Sequence, residues 1–355
     1  MKDRINTGRQ VELDVAKVFA ILYMVTIHVY EEMSVVRYWS RPDSVFRIVL
    51  EFLGGPLAAP VFMFAMGVGM VYTKYRTPRA FAMRGLRLLG ASYLLNVVRM
   101  TIPFYLTKLS GDSWGSWTVV DTIGLVDILQ FAGMAFLLTA LLERWKAGRW
   151  GILAAALLMQ GLGLIPLHSF DGLPSAAQYA LGLFFHTNSN VAFPLTLWYV
   201  YPAFGLCFGE YLQTVGDKKA MYNRIAVLSA AGLLAMSAGM RHMGWNLLDN
   251  FALAGDAYYI QNLPVTLWTL AVIGLQLFVC HRISLLLPGR LARGAESVSR
   301  RLNTIYLIQW VIIPYTILAM GVAGLPMLPA WAIVPAGIVI YAASILVSKY
   351  VRIKL

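Results

Sequence analysis

The run RQVELDVAKVFAILYMVTIHVY, residues 9–30, decides the fold class of this chain. It is apolar and long enough to cross a bilayer as a helix, which takes about 20 residues. His28 lies near its far end, where an ionisable side chain costs roughly 2.5 to 3.5 kcal/mol on insertion scales and is therefore a functional candidate. We predict that His28 is a general base. The alternative is that it only reaches the interface and bonds a carbonyl.

Composition extends this interpretation to the whole chain. Of its 355 residues, 59% are hydrophobic and 13% are charged, whereas soluble domains carry about 25% charged residues. Ten apolar stretches have the length of a membrane span, and AAQYALGLFF before His186 could add an eleventh element. The ten lie at 13–34, 52–73, 83–102, 117–142, 150–167, 191–214, 222–240, 260–281, 302–323 and 327–348. The sequence thus predicts an all-α polytopic integral membrane protein with about ten, or eleven, transmembrane helices.

Basic residues divide unevenly between alternate loops, and cytoplasmic loops accumulate Lys and Arg. With the N-terminus inside, 22 of the 29 basic residues fall on the cytoplasmic side and six on the other, with Lys17 inside a span. Both termini are therefore predicted to be cytoplasmic, in a multi-pass protein of the plasma (inner) membrane. Because the net charge of +12 follows the same loops, we expect contact with anionic lipids and no nucleic-acid binding.

Other sequence features limit the function classes. No long hydrophilic segment occurs, so residues 1–355 are predicted to form one domain. The first apolar stretch is too long for a signal peptide and should remain in the protein. Cys207 and Cys280 show no paired spacing, and motifs of NTPases, zinc proteases and serine hydrolases are absent, so no metal is expected.

Polar residues within the apolar stretches are the candidates for chemistry. Asp127 and Gln130 are three apart in DTIGLVDILQFAG and share a helix face. His28 enters the membrane at a similar depth, so Asp127 is predicted to fix its imidazole tautomer, unless the carboxylate only joins two helices. Arg99, near the outer end of the third stretch, is predicted to pair with Asp121 or with a ligand.

Basic groups near the opposite end of the spans suit a phosphate ligand. Arg84 and Arg87 lie one helical turn apart, and their guanidinium groups fit phosphate oxygens. Anchoring at the membrane interface explains both arginines equally well. Asp14 and Lys17 share a helix face and are predicted to neutralise one another.

Two predicted external loops carry side chains that suit carbohydrate. His186 and Asn188 lie in HTNSNVAFPLTLW, and Trp245 and Asn246 lie in RHMGWNLLDN. Amides and histidines bond hydroxyl groups, and indole rings cover apolar sugar faces. The competing interpretation is an ordinary solvated loop, which is rich in the same residue types.

Several pieces of the chain, in order, match one family. The opening R-x-x-x-L-D-x-x-K-x-x-A-I-L-x-M-V resembles the start of the bacterial relatives of heparan-α-glucosaminide N-acetyltransferase, within the membrane family-3 acyltransferases. Further pieces are APVFMFAMGVGM, FAMRGLRLLGASYLL, LVDILQFAGMAFLLTALL, FPLTLWYVYPAFGLCFGEYL and LNTIYLIQW. That group carries a histidine where this chain has His28. Lys17 stands where arginine is usual, and residues 33–47 lack the histidine of the heparan enzyme's loop. Catalysis is therefore expected to rest on His28 or on a residue elsewhere in the chain, which favours the family-3 pattern.

The resemblance implies transfer of an acyl group, acetyl in the first instance, from cytoplasmic acetyl-CoA or another acyl-CoA. The implied acceptor is a hydroxyl or amine of a sugar, glycan or small molecule at the outer face. A proton-coupled transporter or flippase is the alternative, because intramembrane Asp and His also serve transport.

The resemblance also implies roles for the candidate residues. His28 would deprotonate the acceptor, and Gln130 or Arg99 would stabilise the tetrahedral oxyanion. The remaining implied roles are phosphate binding by Arg84 and Arg87, a CoA contact by Lys17, orientation of the base by Asp127, and acceptor binding by His186, Asn188, Trp245 and Asn246.

Overall fold

The computed structural model describes residues 4–35, 44–165, 167–253, 256–351 and 353. Over these ranges the secondary structure is helical, apart from two isolated β-bridges, Ser34 to Leu328 and Val126 to Val191. The all-α prediction is thus confirmed for the described part of the chain. Five basic residues that entered the predicted charge asymmetry lie outside it: Lys2, Arg37, Arg41, Arg352 and Lys354.

Sixteen α-helices follow one another in the described part of the chain. The first are α1 Val11–Met33, α2 Val45–Gly54, α3 Ala59–Tyr72, α4 Pro78–Asn96, α5 Ile102–Leu109, α6 Val119–Gly124, α7 Ile128–Arg144, α8 Gly148–Gly163 and α9 Ser175–Gly182. The rest are α10 Leu195–Trp198, α11 Val200–Leu212, α12 Lys218–His242, α13 Leu263–Leu286, α14 Gly289–Arg300, α15 Leu302–Val322 and α16 Ala330–Val347. A π-helical turn, Val97–Thr101, joins α4 to α5.

Six helical stretches of the described chain are long and apolar enough to cross a membrane. They are α1, α2 together with α3, α12, α13, α15 and α16. The protein is therefore integral to a membrane. The other four predicted spans fall on shorter or interrupted helices, so the count of ten and the cytoplasmic termini stay predictions. The proposed eleventh element is the eight-residue helix α9.

The predicted span at 117–142 is wrong as one continuous helix. The chain forms α6, leaves the helical conformation at Leu125, and restarts as α7. Each start carries a capping box: Thr118 with Asp121 for α6, and Asp127 with Gln130 for α7. Because a capping box satisfies the free amides of a first turn, two such sequences nine residues apart favour two helices.

The first helix lies inside the bundle, not at its edge. It contacts α2, α3, α13, α14, α15 and α16, and most of its side chains are buried. Close helix pairs form around it where glycines allow backbone contact. A Cβ on Gly67 of α3 would overlap the carbonyl of Pro202, and one on Gly205 of α11 would overlap that of Phe64. This packing fixes the helices whose polar residues face α1.

Candidate active site

A cavity of about 440 Å³, here named the histidine cavity, surrounds the side chain of His28. Its walls come from α1, the π-helical turn, the start of α7, α15 and the segments around Phe193 and Tyr258. Its polar and aromatic lining comprises His28, Tyr30, Glu31, Glu32, Arg99, Asp127, Ser189, Asn190, Phe193, Tyr258, Tyr259, Tyr306 and Trp310. The fold thus brings three of the four predicted catalytic residues, His28, Arg99 and Asp127, to one site.

The Asp127 carboxylate accepts three hydrogen bonds at this cavity. They come from Arg99 Nη1 at 2.8 Å, from the Tyr306 hydroxyl at 2.7 Å and from the Ile128 amide at 2.6 Å. Arg99 is 2% exposed and Asp127 8%. Burying two charges is costly unless they are paired and further hydrogen-bonded, and Asp127 meets both conditions. It therefore stays a carboxylate and fixes Arg99 and Tyr306.

The π-helical turn positions Arg99. Such turns often occur at functional sites, since the extra residue redirects a side chain. The guanidinium donates through Nε to Asn96 at 3.3 Å and lies 4.3 Å from the centroid of the Trp310 ring. The predicted pairing of Arg99 with Asp121 is wrong. Asp121 caps α6 and accepts a hydrogen bond from the Tyr179 hydroxyl, so its carboxylate is already engaged.

His28 is partly buried, and its ring packs on Trp310 with centroids 4.2 Å apart. Its Nδ1 lies 3.2 Å from Gln309 Oε1. An amide oxygen only accepts, so Nδ1 is the donor in this contact, and in the neutral imidazole Nε2 is then the unprotonated nitrogen. Gln309 thus orients the imidazole, in the place predicted for Asp127. Asp127 is already bound by Arg99 and Tyr306, and it contributes its charge to the cavity.

Gln130, predicted as an oxyanion donor, is occupied elsewhere. Its Oε1 accepts from the Asp127 amide at 3.1 Å and its Nε2 donates to the Leu125 carbonyl at 3.0 Å. Both ends of the side chain close the first turn of α7, and Gln130 does not line the histidine cavity. Its position explains the i,i+3 spacing from Asp127 as a capping box. The structure therefore corrects its role to helix capping.

A second cavity, of about 300 Å³ and here named the basic cavity, holds the predicted phosphate-binding groups. Its basic lining residues are Lys17, Arg84, Arg300 and Arg301. Arg84 also lies over the Phe136 ring, 4.7 Å from its centroid. Arg87 does not line this cavity but shares a neighbouring depression with Arg84.

The predicted neutralisation of Asp14 by Lys17 is corrected by the geometry at the start of α1. The Asp14 carboxylate accepts two hydrogen bonds from Arg9, one from Nε at 2.6 Å and one from Nη2 at 2.8 Å. A bidentate guanidinium fits a carboxylate better than an ammonium does. Lys17 is thereby left to line the basic cavity.

Four helices line both cavities. The basic cavity is lined by Lys17 of α1, Phe62 of α3, Leu129 of α7 and Thr304 of α15. The histidine cavity is lined by His28, Ala59, Ile128 and Tyr306 of the same four helices. Lys17 and His28 stand eleven positions apart, which is about 16 Å along a helix. Two adjacent residues of α7 line the two cavities, Leu129 the basic cavity and Ile128 the histidine cavity.

Comparison with known families identifies the class of this protein. The family model of the acyltransferase 3 group, described as an acyltransferase domain, matches residues 10–349. The chain belongs to this acyltransferase family. A search of curated proteins finds no match. The predicted transferase activity is confirmed, which favours an enzyme over a transporter. The narrower resemblance to the heparan-α-glucosaminide N-acetyltransferase relatives stays a prediction.

The predicted acceptor-binding residues of this acyltransferase lie in two separate places. His186 and Asn188 lie beside the histidine cavity, where His186 Nδ1 bonds the Val191 carbonyl at 2.7 Å. Asn188 accepts from the Asn190 amide at 2.9 Å and so shapes the turn that places Asn190 in the cavity wall. These two residues support the wall without lining it.

Trp245 and Asn246 lie at the far end of α12, away from the histidine cavity. Trp245 packs on a small apolar cluster, and Asn246 accepts from the Leu248 amide at 3.2 Å. Neither residue lines the cavity. Their predicted contact with the acceptor therefore has no support in the geometry, because local packing and capping account for both.

Three α15 residues beside the histidine cavity had no predicted role. Tyr306, Gln309 and Trp310 are spaced i, i+3 and i+4, so they share one helix face. Gln309 is fully buried, and its Nε2 has no hydrogen-bond partner among the described residues. A buried amide that leaves one hydrogen bond unmade needs an explanation. The explanation is the contact of the Gln309 Oε1 atom with His28, which holds the amide in this orientation. The signal was a polar face on an otherwise apolar helix.

Proposed function

We propose that this acyltransferase moves an acetyl or other acyl group from acyl-CoA, bound at the basic cavity, to a hydroxyl or amine held in the histidine cavity. The observation that carries the proposal is the pair of cavities on four shared helices, one basic and one containing the histidine. A donor that is anionic at one end and acylated at the other suits this arrangement.

The basic cavity supplies the donor site in this proposal. Lys17, Arg84, Arg300 and Arg301 offer cationic groups to nucleotide phosphates, and charge-assisted hydrogen bonds of this kind are roughly twice as strong as neutral ones. Arg87 extends the basic surface into the next depression. The thin acyl-bearing arm of the donor then passes between α1, α3, α7 and α15 towards His28.

The histidine cavity supplies the chemistry. His28 Nε2 takes the proton from the acceptor as its oxygen or nitrogen attacks the thioester carbonyl carbon. Arg99 lines the cavity, and its Nη2, which has no partner among the described residues, stabilises the tetrahedral oxyanion in this scheme. The carbon–sulfur bond then breaks, and the imidazolium returns its proton to the thiolate. The products are the acylated acceptor and free CoA.

The charge asymmetry of the loops supports the orientation that this scheme requires. The basic cavity faces the side predicted to be cytoplasmic, where acyl-CoA is available, and the histidine cavity faces the other. We place the enzyme in the plasma membrane on the same grounds.

Binding and slow hydrolysis of acetyl-CoA by the detergent-purified protein test the proposal. Arg84→Ala should weaken acetyl-CoA binding at least tenfold, because it removes a phosphate partner. His28→Ala should abolish turnover while binding remains. Arg290→Ala, on the exposed face of α14, is the matched arginine control and should leave binding unchanged. If the unaltered protein binds no acyl-CoA, the proposal is wrong.

A further inference from the structure

Trp310 lines the histidine cavity and contacts two of its charged or titratable groups, His28 and Arg99. The ring centroids of Trp310 and His28 are 4.2 Å apart, and the guanidinium carbon of Arg99 lies 4.3 Å from the centroid of the Trp310 ring. The indole side chain is 8% exposed. None of the steps of the proposed reaction uses this ring, although it contacts both the base and the group that stabilises the oxyanion.

Two neighbouring residues of α15 restrain the imidazole of His28 in different ways. The Gln309 Oε1 atom accepts a hydrogen bond from Nδ1 at 3.2 Å and so holds one edge of the ring. Trp310 packs against the ring itself, with the two ring planes tilted by 35°. Together the two contacts limit both the tautomer of His28 and the swing of its ring.

The charge of His28 changes during the proposed reaction. The imidazole is neutral before it takes the proton of the acceptor, and it is an imidazolium cation afterwards. The face of an indole ring is electron-rich and attracts cations, more strongly where water is excluded. The contact between Trp310 and His28 is therefore stronger after the proton has moved. An interaction that strengthens towards the transition state raises kcat.

The contact of Arg99 with the same ring differs in one respect. Its guanidinium is a cation before and after the proton transfer, with the Asp127 carboxylate as its counter-ion at 2.8 Å. This contact therefore stabilises the bound ground state and the transition state equally, and such uniform binding does not raise kcat. The imidazolium of His28 is repelled by Arg99, and the indole adds to Asp127 in offsetting that repulsion.

We propose that Trp310 is a positioning residue that also stabilises the imidazolium form of His28 through the face of its ring. This inference rests on the proposed function, because it assigns Trp310 to the step in which His28 Nε2 takes the proton. The proton still moves from the acceptor oxygen or nitrogen to Nε2, and Trp310 itself exchanges no atom.

Fluorinated tryptophans placed at position 310 by codon suppression test the charge contribution, because fluorine withdraws electrons from the ring face and changes its size little. Hydrolysis of saturating acetyl-CoA gives kcat without an added acceptor. We expect kcat to fall with each added fluorine, about tenfold across the series, on the scale of a desolvated cation–π contact. The Kd for acetyl-CoA should stay unchanged, since Trp310 does not line the basic cavity.

Trp150 is the matched control for the fluorinated series. Its ring also lies beside a guanidinium, with the Arg149 carbon 5.2 Å from the ring centroid, but it lines neither cavity. Fluorination at Trp150 should leave kcat unchanged. An equal fall of kcat in the two series would overturn the inference.

Two ordinary substitutions separate the charge contribution from packing. Trp310→Leu should lower kcat at least tenfold, and Trp310→Phe, which keeps an aromatic face, should recover a large part of this loss. If kcat is unrelated to the number of fluorine atoms, or if Trp310→Phe recovers nothing, Trp310 has a packing role only and the inference is wrong.

Acetyl-CoA binding, measured on every variant, distinguishes failure of this inference from failure of the proposed function. If the unaltered protein binds and hydrolyses acetyl-CoA but fluorination changes only the Kd, the role of Trp310 alone is contradicted. If the unaltered protein binds no acyl-CoA, or if His28→Ala hydrolyses acetyl-CoA at the full rate, the proposed function itself is overturned.

Discussion

Asp127 and Arg99 form a charge pair in which each partner depends on the other. Replacing Asp127 by Asn keeps the shape of the side chain but leaves the buried guanidinium without a counter-ion. Breaking such a pair costs about 3–5 kcal/mol, and we expect this loss in the free energy of unfolding of Asp127→Asn, measured by denaturant titration in detergent. The double variant with Arg99→Gln should recover a large part of it. A loss below about 1 kcal/mol in the single variant would contradict the pairing.

Gln309 acts through the orientation of His28. Gln309→Leu removes the acceptor of the Nδ1 proton, so the productive tautomer is no longer selected. We expect kcat to fall at least tenfold, on the scale of acid–base contributions, while the Kd for acetyl-CoA stays unchanged. Gln276→Leu is the control, because Gln276 is also in a span but lines neither cavity. Equal losses in the two variants would show a structural effect only.

Sequence alone could single out His28 and Asp127 but not their partners. Both are ionisable groups in apolar stretches. Placing such a group in a membrane costs free energy, so its presence in a single sequence already marks a functional candidate. The link from His28 to Gln309 spans 281 positions, and its geometry depends on how α1 and α15 pack. The spacing of Asp127 and Gln130 fitted both a shared helix face and a capping box, and only the backbone distinguishes the two.

The close contact between α3 and α11 depends on glycine. Gly67→Ala would press a methyl group into the Pro202 carbonyl, so the helices must separate. Overpacking of this kind costs typically about 1–3 kcal/mol, and we expect that loss in the free energy of unfolding. Gly69→Ala on the same helix is the matched control, since nothing lies within 4 Å of its Cβ position. Equal stability of both variants would contradict the close contact.

Helix boundaries near the site were harder to predict than the helices themselves. Hydropathy gives one span at 117–142, yet the chain breaks between Gly124 and Ile128. Asn96 donates to the carbonyls of Ile123 and Leu125, both at 2.8 Å, and so satisfies groups that a helix end leaves free. A partner this distant in sequence is invisible to local patterns. The break is what exposes Asp127 to the cavity.

Acyl transfer between the two cavities requires a passage through the protein. Leu129, which lines the basic cavity next to Ile128 of the histidine cavity, lies at this partition. Leu129→Phe should narrow it, so turnover with acetyl-CoA should fall at least tenfold. Binding of 3′,5′-ADP, the nucleotide half of CoA, should persist and report an intact fold. Leu158→Phe, at a site 70% exposed, is the control. Unchanged turnover in Leu129→Phe would contradict a passage there.

In the proposed mechanism the donor and the acceptor reach the enzyme from opposite membrane faces. The most direct test is acyl transfer in sealed proteoliposomes, with radiolabelled acetyl-CoA outside only and a sugar acceptor trapped inside only. We predict labelled acceptor inside the vesicles, absent with His28→Ala and with Arg84→Ala. Transfer only when both substrates share one compartment would contradict the claim.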